Sequence, residues 1–155
     1  MRACFYDTWG FIALANRGDP HHGLAVDTDR YLEEAGYVAV TSDYVFDETV
    51  TGLHAAAGAR AALEFVDFTL ASLAAGELLL LETNRERRER AIVMFRRLAP
   101  SLPRLSFTDC TSFALMRELE IPVAFTADRH FLRAGRGLGP LFEQGAGGLA
   151  LRLPQ

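Results

Sequence analysis

Asp7, Glu48, Asp109 and Asp128 are four acids set in or beside apolar stretches. Asp7 follows Ala3–Tyr6, Glu48 lies among valine and leucine neighbours, Asp109 opens a helix inside an apolar stretch, and Asp128 follows Val123–Thr126. Taken singly, each has an ordinary explanation, since an aspartate at a helix start caps free backbone N–H groups and a helical glutamate is usually solvated. Taken together they ask for more, because carboxylates gathered in one place repel one another and need a cation. Oxygen ligands without an accompanying Cys or His cluster suit Mg2+ or Mn2+, which favour octahedral sites and retain waters, better than zinc. Such a site can orient and deprotonate a water for in-line attack on phosphorus while neutralising the developing charge. The chemistry this predicts is phosphodiester hydrolysis without a protein nucleophile.

Other residues invite chemistry less strongly. None of the four histidines, His21, His22, His54 and His130, forms a HExxH or similar ligand spacing. His130 is the exception to watch, because it follows Asp128 closely. The run Arg85-Glu86-Arg87-Arg88-Glu89-Arg90, with Arg96 and Arg97 beyond, offers Arg85, Arg87 and Arg88 as candidate contacts to an RNA backbone. It also reads as an interleaved, solvated helix face, since the glutamates cancel much of its charge. Cys4 and Cys110 lie far apart, suggest no disulfide framework or metal knuckle, and read as small buried apolar residues.

Composition removes several alternatives. The net charge of −4 supplies no global field attractive to nucleic acid, so any RNA binding must come from a local patch or from bound metal. Every basic residue is an arginine. Without lysine there is no P-loop GK[ST] and no Schiff-base lysine, nor the ammonium group that receiver domains and most haloacid-dehalogenase-type phosphatases place beside their aspartates. No apolar run approaches the roughly 20 residues needed to cross a bilayer, and Asp7 interrupts any signal-peptide core, so a cytoplasmic location is expected.

For the acids to meet, alternating elements must bring them together. Ala3–Tyr6 reads as a strand, followed by a helical or looped segment with Trp9, Phe11, Ile12 and Leu14. A helix from His21 or His22 to about Ala35, closed by Gly36, precedes a strand at Tyr37–Val40. The next helix starts at Thr41-Ser42-Asp43, with Asp43 explained as an N-cap, carries Glu48 in its second turn and ends near Gly58. A helix over Ala59–Ala74, a strand at Leu78–Leu81 and a helix over Asn84–Leu98 follow, then the breaker Pro100–Pro103. Ser106–Asp109 prepares a helix to about Leu119, Val123–Thr126 is a strand, Asp128 starts a short helical turn, and Leu149–Leu153 is the last strand candidate. The alternation predicts one α/β domain over residues 1–155, a mainly parallel sheet covered on both faces. Active sites in such sheets gather beyond the strands' C-terminal ends, where Asp7 and Asp128 fall.

Four segments, Phe5–Thr8, Thr41–Thr49, Leu105–Ser112 and Phe125–Phe131, make the sequence resemble the PIN domains, and particularly the VapC-like toxins of bacterial and archaeal toxin–antitoxin pairs. The resemblance covers nearly the whole chain and implies a three-layer α/β/α PIN fold. It implies that Asp7, Glu48, Asp109 and Asp128 are the catalytic acids and bind one or two Mg2+ or Mn2+ ions, with Thr8 or Thr126 hydrogen-bonding a carboxylate or a bound water. Asp47 is the reserve for Glu48, from which it points about 100° away on a helix. The implied activity is endoribonuclease action on RNA, and the implied partners are an antitoxin whose C-terminal segment blocks the acidic pocket, often with an arginine, and a second copy in a homodimer. Val66, Leu70, Leu73 and Phe95 are core residues or part of that dimer interface. The rivals are a PIN fold kept as an inert RNA- or protein-binding module and, more remotely, a haloacid-dehalogenase-type phosphatase. That phosphatase wants a second aspartate two residues after the first, where this chain has Trp9.

Overall fold

Short apolar runs and capped helices alternate along the chain much as their residue pattern predicts. The computed structural model describes residues 2–134, 139–140, 142–145 and 148–151. Strand β1 (Arg2–Tyr6) leads into α1 (Thr8–Ala15) and α2 (His22–Glu34), and β2 (Tyr37–Ser42) into α3 (Asp43–Ala57) and α4 (Ala59–Ala75). Strand β3 (Leu78–Leu81) leads into α5 (Arg85–Leu98) and α6 (Phe107–Glu118), and β4 (Val123–Phe125) into the single turn α7 (His130–Arg133). Three short strands follow, β5 (Gly139–Pro140), β6 (Phe142–Gly145) and β7 (Gly148–Leu151). The expected last strand therefore starts one residue earlier, and its positions 152–153 lie outside the described residues. Among the described residues no helix is long and apolar enough to cross a membrane.

The main sheet has the order β3-β2-β1-β4-β5 with every neighbouring pair parallel, while β6 and β7 form a separate antiparallel hairpin. The chain winds outward from β1 through β2 to β3, then recrosses to place β4 on the other flank of β1. Because parallel crossovers are right-handed, that reversal puts α5 and α6 on the face opposite α1 and α3, giving the three layers. It also opens the sheet at its switch point, between the C-terminal ends of β1 and β4, where ligands of open α/β sheets bind.

Three contacts fix that end of the sheet. Tyr6 stacks on Phe125 with ring centroids 4.7 Å apart, and the Thr41 hydroxyl donates to the Tyr6 carbonyl at 2.9 Å, tying β2 to β1. A side chain at Gly10 would collide with both the ring and the carbonyl of Phe125. Glycine therefore lets the first turn of α1 lie directly on the end of β4. Below this end Phe11 packs edge-on to Phe65, and Phe113 to Phe131, in a core that also buries both cysteines.

Helix α3 corrects one expectation. Its cap is Ser42, whose Oγ accepts from the Val45 N–H at 3.2 Å, not Asp43. Asp43 is the first helical residue and accepts instead from the Thr83 N–H at 3.0 Å and the Thr83 hydroxyl at 2.6 Å, tying α3 to the loop before α5. Serine is the shorter acceptor and one residue nearer the non-helical backbone, so it reaches the free N–H groups. Gly36 and Gly76, with φ of 77° and 73°, follow α2 and α4 in the left-handed conformation that favours glycine.

Candidate active site

Asp7 occupies the N-cap position of α1 in extended backbone, but its side chain makes no capping bond. Its Oδ2 accepts from the Thr126 hydroxyl at 2.8 Å, and the same Thr126 oxygen accepts from the Asp128 N–H at 3.1 Å. One buried hydroxyl thus joins the acid after β1 to the acid after β4. Asp128 is fixed in turn by the His130 N–H, which donates to its Oδ1 at 2.9 Å. Asp109 is the third residue of α6 and forms a reciprocal capping box with Ser106. The Asp109 N–H donates to Ser106 Oγ at 2.9 Å, and Asp109 Oδ2 accepts from the Ser106 N–H at 3.0 Å. Helix capping and carboxylate orientation are one set of bonds here.

Asp109, Asp128 and His130 each offer a ligand atom, and these atoms lie within 4.8 Å of one another. His130 Nδ1 is 3.3 Å from Asp109 Oδ2 and 3.3 Å from Asp128 Oδ1. Asp7 is only 4% exposed. Burial, then the charge of Asp109, pushes its carboxyl up to about 7, against the opposing hydrogen bond from Thr126. Burial raises the Asp109 carboxyl as well, and the Asp128 charge adds to it, while the Ser106 N–H and His130 act in the other direction. Carboxylates held close together and out of water lack counter-charge, and a bound divalent cation supplies it. Among the described residues, three buried side-chain atoms lack a hydrogen-bond partner, and two of them are here: His130 Nδ1 and Thr8 Oγ1, the latter on the residue next to Asp7. This donor set fits a hard or borderline divalent ion.

Glu48 stands outside that tightest group. It is half-buried on α3, one turn before Gly52 on the same side of the helix, and a side-chain carbon at Gly52 would come 3.2 Å from Ile12 Cδ1. Glu48 therefore lies on the α1-facing side of α3, a turn nearer the strand ends than that contact. Asp47 is exposed. The structure thus brings together Asp7, Asp109, Asp128, Thr126 and His130, sets Glu48 on the flanking helix, and turns Asp47 to solvent.

The arginine run is mostly paired. Arg85 binds Glu89 at 2.8 Å, and Arg87 binds Glu118 of α6 at 2.7 Å while donating to the Glu82 carbonyl at 2.7 Å. Arg90 also reaches Glu118, at 3.2 Å. Arg88 is exposed and makes no ion pair among the described residues. The other histidines lie away from the acids: His22 Nδ1 is 2.8 Å from the Ala13 carbonyl, His21 packs near Trp9, and His54 is exposed in the last turn of α3. The positioning role of Ser106 is the feature sequence reasoning passed over, although the Ser-x-x-Asp spacing of a capping box was there to find it.

Comparison with known proteins gives the family and the fold. The PIN domain family model matches residues 4–137, a span that contains all four acids. The chain is 33% identical over 131 residues to the 23S rRNA-specific endonuclease VapC20 of Mycobacterium tuberculosis, across 84% of this chain and 93% of that protein. The crystal structure of VapC20, a Sarcin-Ricin loop cleaving toxin, superposes with a TM-score of 0.72 at 32% identity, covering 85% of this chain and 95% of that one. VapBC2 from Rickettsia felis, crystallised bound to a DNA fragment from their promoter, shares the fold with a TM-score of 0.66 at 12% identity, over 89% and 96% of the two chains. The phosphatase alternative falls with these matches: this chain belongs to the PIN-domain family and is similar within it to the VapC toxins.

Proposed function

We propose that this protein is a Mg2+- or Mn2+-dependent endoribonuclease acting as the toxin of a toxin–antitoxin pair. The observation that carries the reading is the convergence of buried Asp7 and Asp109 with the half-buried Asp128 at the switch point, with no arginine paired to any of them among the described residues. Asp7, Asp109 and Asp128 would hold the cation, with Glu48 completing the set from α3. When bound, the cation supplies neutralisation of phosphate charge and a lowered pKa for the attacking water. The chain's own residues do the positioning. Thr126 orients Asp7, Ser106 orients Asp109, and the His130 N–H orients Asp128, so the carboxylates are arranged before substrate arrives. An inert scaffold would have no physical reason to keep mutually repelling acids in a buried place.

The likeness to a 23S rRNA-specific endonuclease makes ribosomal RNA the first substrate class to test. Of the three arginines considered as backbone contacts, Arg88 makes no ion pair among the described residues and so best supports that role. An antitoxin, a homodimer and a cytoplasmic site of action belong to the same reading. The exposed Leu63 and Leu70 on α4 support an interface there, at 63% and 59% exposure.

The test is incubation of the purified protein with labelled 23S rRNA and a mixed RNA pool, with Mn2+ or Mg2+, with EDTA, and with Asp109→Asn in parallel. Metal-dependent cutting that the variant loses is expected. Equal silence of both proteins, with RNA binding retained, would replace the nuclease by the scaffold.

A further inference from the structure

We infer that His130 is itself a ligand of the metal centre, binding the cation through Nδ1 beside Asp109 and Asp128, and that this nitrogen favours Mn2+ over Mg2+. The inference rests on the metal-centre reading above and adds to it a residue outside the four acids. His130 Nδ1 lies 3.3 Å from a carboxylate oxygen on either side, yet meets hydrogen-bond geometry with neither and has no other partner among the described residues. A histidine placed only to bridge two carboxylates would donate to at least one of them. Bonds of about 2.0–2.2 Å in an octahedral site put neighbouring ligand atoms about 3 Å apart, close to the separations seen here. All three ligand atoms fall within 4.8 Å, near the span of one coordination sphere.

The backbone holds this arrangement. Asp128 and His130 are two residues apart in one turn, the His130 N–H fixes the Asp128 carboxylate, and the His130 carbonyl accepts from the Ala134 N–H at 3.1 Å. The ring is thereby set against α6, with its side chain 21% exposed. A neutral imidazole with its proton on Nε2 presents the Nδ1 lone pair to the two acids. Mg2+ demands hard oxygen ligands and dehydrates reluctantly, whereas imidazole suits the later transition ions and is tolerated by Mn2+.

Pulsed electron paramagnetic resonance of the purified full chain loaded with Mn2+ alone reads a directly bound 14N without reference to activity. A coupled nitrogen is expected in the wild type and should be absent in His130→Ala. Calorimetric titration should show Mn2+ affinity falling about tenfold or more in that variant, with a smaller loss for Mg2+. Mn2+ bound without a coupled nitrogen, in a protein whose binding still depends on Asp128, would remove His130 from the ligand set and leave the nuclease reading standing. Failure of the wild type to bind Mn2+ at all would sink both. The wild-type spectrum decides by itself, so a variant that misfolds does not blunt the test.

Discussion

Two clusters of like charge lie in this molecule and are balanced in opposite ways. On α5 Arg85 and Arg90 stand in solvent and Arg87 is largely covered, and each of the three meets a glutamate of its own helix or of α6. At the ends of β1 and β4 the carboxylates of Asp7, Asp109 and Asp128 sit wholly or partly out of water, with hydroxyls, backbone N–H groups and one histidine for company. Leaving charge unbalanced is cheap on a surface and costly in a buried place. Among the described residues the buried carboxylates, Asp7 and Asp109, both lie at the switch point of the sheet. That difference is what the metal-centre proposal accounts for, since a bound cation would supply the missing counter-charge.

The contrast breaks most visibly in activity. Asp109→Asn should lower RNA cleavage by about a thousandfold in single-turnover assays, since it removes a charged group aimed at the reacting centre. Arg85→Ala, on the balanced cluster, should leave the rate within about twofold. Comparable losses in both would mean that the two clusters share a function. Next in size is Gly10→Ala, where the added methyl must displace Phe125 at the very end of β4. Overpacking of this kind costs about 1–3 kcal/mol, measurable by urea denaturation, and an unchanged midpoint would show that α1 does not bear on β4 as described.

A smaller effect separates the clusters by pH. A carboxyl whose pKa rises from 3.8 to about 7 on folding favours the folded state while it is protonated. For Asp7 that advantage is complete below pH 4 and is lost as the pH rises through about 7. Metal-free wild type should therefore become less heat-stable than Asp7→Asn by a few degrees at pH 8, with the gap closing towards pH 4. Added Mn2+ should reverse the order at pH 8 and do little at pH 5, because the ligand must be ionised to bind. A pH-independent difference between the two proteins would contradict the buried, unbalanced state of Asp7.

The sheet was legible in the sequence because its strands are short apolar runs between helices, as at Leu78–Leu81, whose bounds the structure reproduces. The places of Asp7 and Asp128 were legible because each follows an apolar strand, β1 or β4, beyond its C-terminal end. Strands β5 and β6 were not, since β5 is only Gly139–Pro140 against Val123–Ala124 and β6 pairs only with β7 in a hairpin, neither carrying an alternating apolar pattern. Two side-chain roles were misplaced or unseen. Whether Ser42 or Asp43 caps α3 depends on Thr83, forty residues along the chain, which claims the Asp43 carboxylate. His130 shows in sequence only as a neighbour of Asp128, and its approach to Asp109 follows from the packing of α7 on α6.

The arginine cluster sharpens the comparison from the other side, because its members are not equal. The Arg85 side chain is 86% exposed and its partner Glu89 is one turn away on the same helix, so the pair adds little to stability. The Arg87 side chain is only 15% exposed, binds Glu118 on a different helix, and donates to the Glu82 carbonyl before α5 begins. Glu118 is held below the usual carboxylate range first by its hydrogen bond from Arg87, with the charges of Arg87 and Arg90 acting in the same direction. Arg87→Ala should thus cost about 1–2 kcal/mol, partly as lost packing of its stem, and Arg85→Ala less than about 0.5 kcal/mol. Glu118→Gln should recover part of the Arg87→Ala loss, since the uncompensated charge goes with it. Equal effects at Arg85 and Arg87 in chemical denaturation would show that the cluster is solvated throughout and clasps nothing.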